Sequence, residues 1–224
     1  MAGKAYSVGA RLVTLDEAPL AGKGRWRLLR LEGDPQDPAA AEQWGGDFPQ
    51  SPALDQAYRD VKDGPEVRAG KLLLGVEAEE PIALSGLPAG VYRLRVSADE
   101  PWGGSAEAET VLVVVDPAKG VALKLGSVTV PERASYAVGE TARFLLGSAF
   151  VDALTHVEIW GGQFLLERRV VEGKVPRLLA VALDERHKGG VTVRWFGVKD
   201  FRVRAGAATV AVPWKDKELK AKLD

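Results

Sequence analysis

The last third of the chain repeats its middle. Gly90-Val-Tyr-Arg-Leu-Arg-Val runs on to Ala108-Glu-Thr-Val-Leu-Val-Val-Val-Asp116. Further on, Gly190-Val-Thr-Val-Arg-Trp runs on to Ala207-Ala-Thr-Val-Ala-Val-Pro-Trp-Lys-Asp216. Gly90 maps to Gly190, Thr110 to Thr209 and Asp116 to Asp216. A period of about a hundred residues is the length of a domain, far longer than a solenoid repeat. The sequence therefore predicts two copies of one β-module, 1–118 and 119–224, split near Pro117–Gly120.

Two modules of that size can each bury a core. The formal charge is −1, from 30 basic and 31 acidic residues, so no basic excess points to nucleic acid or to an anionic membrane surface. There is no cysteine, which excludes disulfides, thiolate metal sites and a cysteine nucleophile and leaves the compartment open. No apolar run approaches the roughly 20 residues of a membrane span. The first residues, Met1-Ala-Gly-Lys-Ala-Tyr, lack the apolar core of a signal peptide. At the other end, Leu219, Ala221 and Leu223 alternate with Lys220 and Lys222, the period-2 pattern of a half-buried strand. A strand opening where a third module would begin predicts a piece of a longer string of modules.

Alternation of apolar and polar residues runs through the chain. Val8, Ala10, Leu12 and Leu15 suggest a first strand, and the stretch around Trp26 and Leu28 a second. Leu72–Ala78, Val91–Ala98 and Thr110–Val115 follow. The second module offers Val121–Val130, Thr141–Gly147, Thr155–Trp160, Gln163–Val171, Leu178–Leu183, Val191–Phe196, Phe201–Ala205 and Thr209–Val212. Short strands spaced by Gly, Pro and Asp turns every 8–12 residues predict an all-β fold of two tandem immunoglobulin-like antiparallel β-sandwiches. Leu87-Pro-Ala-Gly90-Val-Tyr92 resembles the tyrosine corner of such sandwiches, in which the phenol ties back to the backbone upstream. The matching position of the second module is Thr192, so the corner is expected in the first only.

The stretch between Gly33 and Gly70 breaks the pattern. Matching Trp26 to Phe144 gives the first module an insertion there. Within it, Ser51-Pro-Ala-Leu-Asp-Gln-Ala-Tyr-Arg-Asp-Val reads as a short helix, with Ser51 as cap, Pro52 in the first turn and Leu54, Tyr58 and Val61 on one face. The expectation is a helix packed over a sandwich edge; the sharper alternative is a contact surface for a neighbouring domain.

Candidate chemistry is sparse. The two histidines, His156 in a strand and His187 in a polar turn, lie far apart in sequence and lack the spacing of a metal or catalytic pair. There is no nucleophile elbow and no phosphate loop. The carboxylate pairs Glu79-Glu80, Asp99-Glu100 and Asp184-Glu185 are adjacent, and adjacent strand residues point to opposite faces, so solvated turns explain them. Of the tryptophans, Trp26, Trp160 and Trp195 read as core, while Trp44, Trp102 and Trp214 fall at loops or ends, where rings can serve a sugar. Arg168-Arg169 reads as structural. No catalytic, cofactor-binding or metal-binding residue is assigned, no cofactor is expected, and the chain is read as a non-enzyme.

Three segments in order resemble one family. Ser127-Val-Thr-Val-Pro-Glu-Arg-Ala-Ser-Tyr136-Ala-Val-Gly139-Glu140-Thr141-Ala-Arg-Phe is similar to the opening of macroglobulin domains in α2-macroglobulin-like proteins. Gly139 permits a tight reversal there, and Tyr136 can fold over the sandwich end. Leu87 to Asp116 resembles the end of a preceding macroglobulin domain, and Val212-Pro213-Trp-Lys-Asp-Lys-Glu-Leu219 the exit into a following one. The resemblance implies non-catalytic scaffold domains of a bacterial protease trap, in which cleavage of a bait segment rearranges a string of domains around the protease. It implies a periplasmic or cell-surface parent protein, with neighbouring domains and target proteases as partners; on charge and hydropathy, nucleic acid is not expected as a partner, nor a membrane span in this stretch. The thioester of some members needs a cysteine this chain does not have. The alternative is a tandem surface adhesin or carbohydrate-binding module.

Overall fold

The computed structural model describes residues 5–33, 53–77, 80–99, 102–116, 127–148, 154–172 and 177–214. Contacts divide the chain into two compact units, one built on residues 1–35 and 53–122, the other on 36–52 and 123–224. Both are immunoglobulin-like antiparallel β-sandwiches.

Unit 1 contains β1 (Ala5–Ala10), β2 (Leu12–Val13), β3 (Pro19–Leu20), β4 (Gly22–Leu31), the helix α1 (Leu54–Ala57), β5 (Asp63–Leu74), β6 (Glu80–Ser85), β7 (Gly90–Asp99) and β8 (Ser105–Val114). One sheet has the order β5-β4-β7-β8; β1 pairs with β6 in the other, and β2-β3 is a small hairpin. Alternation sends Leu28 of β4, Leu72 and Leu74 of β5, Ile82 and Leu84 of β6 and Leu94 of β7 into one core. Burying each such side chain contributes about 1.5–3 kcal/mol. Leu29 and Leu31 lie on the other face of β4 by alternation and are buried there too, while a β-bulge in β5 shifts the β4–β5 register opposite Leu28 and Leu29.

Unit 2 contains β9 (Ser127–Pro131), β10 (Thr141–Ser148), β11 (Thr155–Gly161), β12 (Phe164–Val171), β13 (Arg177–Ala182), β14 (Val191–Lys199) and β15 (Arg202–Val210). Its sheets are β12-β11-β14-β15 and β13-β10-β9. The core gathers Phe144, Val157, Ile159, Val181, Val193 and Trp195. The indole of Trp195 donates to the Thr129 hydroxyl at 2.7 Å, tying β9 to the opposite sheet.

The two large sheets share one strand order, but the offset read from the sequence slips. Inward residues of β7 are Tyr92, Leu94 and Ala98, whereas those of β14 are Val191, Val193 and Trp195. Matching Gly90 to Gly190 therefore sets Tyr92, buried, on Thr192, which faces outward and meets the Thr209 hydroxyl at 2.9 Å. A one-residue slip exchanges the faces of a strand. Trp26 is not the counterpart of Phe144 either. Trp26 lies on β4, in the middle of the four-stranded sheet, and Phe144 on β10 of the other sheet.

The same fastening recurs on both sandwiches. Arg68 of β5 donates to the Ser85 carbonyl of β6, and Arg169 of β12 donates to the Ala180 carbonyl of β13 at 3.0 Å. Each joins an edge strand of one sheet to an edge strand of the other.

Candidate functional site

The densest polar arrangement in unit 1 lies where α1 and the turn after it pack on the outer face of β7 and β8. Tyr58 and Val61 are buried, and Leu54 is half-buried, so the predicted face of the helix does pack. The helix covers four residues, and its N-cap is Ala53, with no side-chain cap; Ser51 and Pro52 lie outside the described residues. The insertion ends earlier than Gly70, because β5 already runs from Asp63.

Arg93 projects from β7 under this cover and is 3% exposed. Its guanidinium meets the Asp63 carboxylate at 2.5 Å and donates to the carbonyls of Tyr58 at 2.5 Å and Arg59 at 3.1 Å. Asp63 is shared with Arg95 at 2.7 Å, and Arg95 donates to Glu109 at 3.1 Å. The Glu109 hydrogen bond and the Asp63 charge raise the Arg95 pKa further above its ordinary value, so its guanidinium stays charged at every relevant pH. Asp55 of α1 accepts from the backbone N–H of Val111 on β8, the edge strand of the sheet. The helix thus covers a sandwich edge, as the sequence suggests, and supplies an acceptor the edge would otherwise take from solvent or another chain. Beyond it, an open polar groove of about 630 Å³ is lined by Arg25, Arg27, Arg95, Ser97, Glu107 and Glu109. Its arginines are exposed and largely committed: Arg27 to Glu66 at 2.6 Å, Arg95 to Glu109, Arg25 to the Ser97 hydroxyl at 3.2 Å.

Tyr92 forms the expected corner. Its hydroxyl donates to the Pro88 carbonyl at 2.8 Å, and burial raises its pKa. In unit 2, the Tyr-x-x-Gly-Glu-Thr segment is a turn held from several sides. Gly139 has φ +88°, in the left-handed region. The Glu140 carboxylate accepts from the Ala137 N–H at 2.6 Å and pairs with Arg133 at 3.0 Å. Tyr136 is buried in the core, with the Arg133 guanidinium over its ring at 4.3 Å.

The histidines take separate local roles. His156 is exposed on β11 and stacks on Phe196 at 4.8 Å. His187, expected in a polar turn, is buried: it closes a capping box on the 3-10 turn Glu185–His187, where its Nδ1 accepts from the Asp184 N–H at 3.1 Å. Arg186 holds the Asp184 carboxyl well below the usual carboxylate range. Among the described residues no three His, Asp or Glu side chains are grouped to hold a metal ion. Asp99 is exposed at the end of β7 and Glu80 begins β6; Glu79 and Glu100 lie outside the described residues. Arg168 pairs with Glu158 at 3.1 Å and Arg169 with Glu167 at 2.5 Å, the structural role expected of them.

The tryptophans divide differently from the sequence reading. Trp195 is core. Trp26 is half-buried against the core, over Gly70, where a Cβ would stand 2.6 Å from its Nε1. Trp160 sits on the outer face, half-buried, beneath the Arg194 guanidinium at 4.9 Å. Trp102 and Trp214 are exposed, and Trp44 lies outside the described residues. Sequence reasoning passed over Phe201, fully exposed at the tip of the β14–β15 hairpin, the same hairpin position that Trp102 holds between β7 and β8.

No protein-family model matches the chain, and a search of the curated proteins finds no match. Among solved structures it is similar to the native conformation of E. coli alpha-2-macroglobulin, at 13% identity and a TM-score of 0.31, covering 95% of this chain and 13% of that one. It is also similar to fibronectin(III)-like modules of CbhA from Clostridium thermocellum, at 10% identity and a TM-score of 0.28, covering 100% of this chain and 93% of that one. At these scores neither likeness carries an argument about function, and the fold assignment rests on the strand order of the two sandwiches.

Proposed function

We propose that the chain forms non-catalytic scaffold domains of a bacterial α2-macroglobulin-like protease inhibitor. Its work there is mechanical: it spaces neighbouring domains of the parent protein, so that bait cleavage elsewhere is converted into domain motion. One observation carries this reading. The segments that resemble macroglobulin domains are structural joints, the Tyr92 corner and the Gly139–Glu140 turn, and the conspicuous polar groups, Arg93 and His187, bind their own backbone. These residues work at building the sandwiches. In this reading the parent protein stands in the periplasm or at the cell surface, and target proteases meet it through other domains.

The test uses the whole polypeptide that carries this chain, mixed with active proteases. Cleavage of a large protein substrate is expected to fall, while cleavage of a small chromogenic peptide persists, as for a caged enzyme. Equal cleavage of both with and without the polypeptide overturns the proposal. The adhesin or carbohydrate-binding reading draws on exposed Trp102 and Trp214. It predicts glycan-array binding that Trp102→Ala or Trp214→Ala removes.

A further inference from the structure

The outer face of the four-stranded sheet of unit 1 sorts its charges by strand. Strand pairing lays rows across it in the order β5, β4, β7, β8. One row is Lys71, Arg25, Ser97 and Glu107, and the next is Leu73, Lys23, Asp99 and Ser105. Cations thus gather on the β5–β4 half and anions on the β7–β8 half. All of these residues are exposed except Ser97, which is half-buried. A third row, Ala69, Arg27, Arg95 and Glu109, is balanced within the sheet by the pairs Arg27–Glu66 and Arg95–Glu109. The first two rows are not balanced. Among the described residues Lys71, Lys23, Asp99 and Glu107 form no ion pair, even though Lys23 and Asp99 stand opposite each other on neighbouring strands. Lys71 stands directly opposite Arg25, and like charges so placed destabilise a sheet unless an anion meets them.

We propose that this face docks on the same face of a second copy of the chain, because it carries its own electrostatic complement. The two-fold axis lies between the two sheets and runs along the strands, midway between β4 and β7. It brings β5 of one copy over β8 of the other, and β4 over β7. Lys71 then meets Glu107 and Lys23 meets Asp99, each pair twice because the contact is isologous. Arg25 comes over Ser97, which lies on the open polar groove. A two-fold axis across the strands would instead set β5 on β5, cation on cation, so charge selects the first arrangement. The helix α1 stands on the same face at the far end of β7 and β8. Its diameter of about 10 Å matches the spacing of about 10 Å between stacked sheets, so it fits within the layer. Four strands about 4.8 Å apart, each contributing about five residues, give a face of roughly 300–400 Å². That is about half of the ~800 Å² per partner of a standard interface, so the pair is weak and forms at high concentration. This inference stands apart from the scaffold proposal, since it needs only the outer face of unit 1.

The experiment compares the 224-residue chain with two double variants at exposed positions. Lys23→Glu/Lys71→Glu carries acid on both halves of the face, and Asp99→Lys/Glu107→Lys carries base on both. Sedimentation equilibrium from about 10 μM to about 1 mM protein reads the mass. The parent chain is expected to rise from 24.0 kDa toward twice that mass. Its association constant is expected to fall at least tenfold between about 0.1 M and about 1 M salt, as the Debye length drops from about 10 to about 3 Å. Each variant alone is expected to stay at one chain. An equimolar mixture of the two is expected to regain the two-chain mass, because acid then meets base across the contact. A parent chain that stays single throughout overturns the proposal. So does a variant that associates as well as the parent, or a mixture of folded variants that does not associate. Circular dichroism checks the fold of each variant. One that unfolds is replaced by its neutral form, Lys23→Gln/Lys71→Gln or Asp99→Asn/Glu107→Gln, which is expected to associate at least tenfold more weakly than the parent; undiminished association again overturns the proposal.

Discussion

Replacing Arg93 with methionine tests whether the insertion in unit 1 is held by its charge network or by its apolar contacts. The side chain is 3% exposed and donates to two carbonyls as well as to Asp63. Hydrogen bonds from a charged donor contribute about 1.5–3 kcal/mol each, and breaking a buried pair costs about 3–5 kcal/mol. One fact lowers the sum: Asp63 is 25% exposed and keeps Arg95, so its charge is not stranded. The bond to the Tyr58 carbonyl is buried and stays in the total. A loss of about 3 kcal/mol remains, confined to the attachment of residues 53–62, because Tyr58 and Val61 touch the sheet only through that cover. At 1.4 kcal/mol per factor of ten, amide exchange across residues 53–62 is expected to rise about a hundredfold. Exchange in unit 2 should be unchanged. Arg93→Lys keeps the charge but loses the planar fork that reaches three acceptors, and should fall between the two. Exchange in residues 53–62 within a factor of three of the parent protein for Arg93→Met would refute the argument, showing that Tyr58 and Val61 suffice.

Tyr92→Phe removes one buried hydrogen bond to Pro88 and should cost unit 1 about 1 kcal/mol in urea unfolding. The Tyr92 pKa is raised by burial, so its contribution is present below its ordinary value of 10.0 and is lost as pH climbs past it. Unit 1 of the parent protein should therefore weaken above that pH more steeply than the Phe variant; parallel pH curves would contradict this. Trp195→Phe removes the indole hydrogen bond to the Thr129 hydroxyl and opens a gap in the core, and should destabilise unit 2 by about 3 kcal/mol, read from its thermal unfolding. Gly139→Ala meets no neighbour within 4 Å, so its cost is backbone strain alone, about 1–2 kcal/mol; a neutral result would show that the turn relaxes to negative φ.

The class of fold was legible because Leu, Val and Ile alternate in most strands. The places where reading failed have physical causes. β6 went unread because it carries Pro81 and only two large apolar residues, Ile82 and Leu84, so its alternation is brief. The first half of β8, Ser105–Glu109, alternates alanine with glutamate, a pattern too weak to separate from a loop. Phe201–Ala205 and Thr209–Val212 fuse into one strand, because Gly206 continues the β-ladder opposite Trp195 rather than turning the chain. The face error at Tyr92 and Thr192 came from aligning glycines, which mark turns, instead of the buried rows beyond them. Trp160 looked like core because it lies in a strand, but parity places it with His156 and Glu158 on the outer face. The buried role of Arg93 had no signal in sequence, since an arginine between Tyr92 and Leu94 reads as solvent-facing until an insertion covers it.

The paired arginine fastenings at Arg68 and Arg169 give each sandwich a sided mechanics. Exposed polar contacts of this kind add little to equilibrium stability. Their geometry matters more: they bind the flank formed by β5 and β6 in one sandwich and by β12 and β13 in the other. Under load, each sandwich has a spine along that flank, like a book, and its two sheets part from the far side.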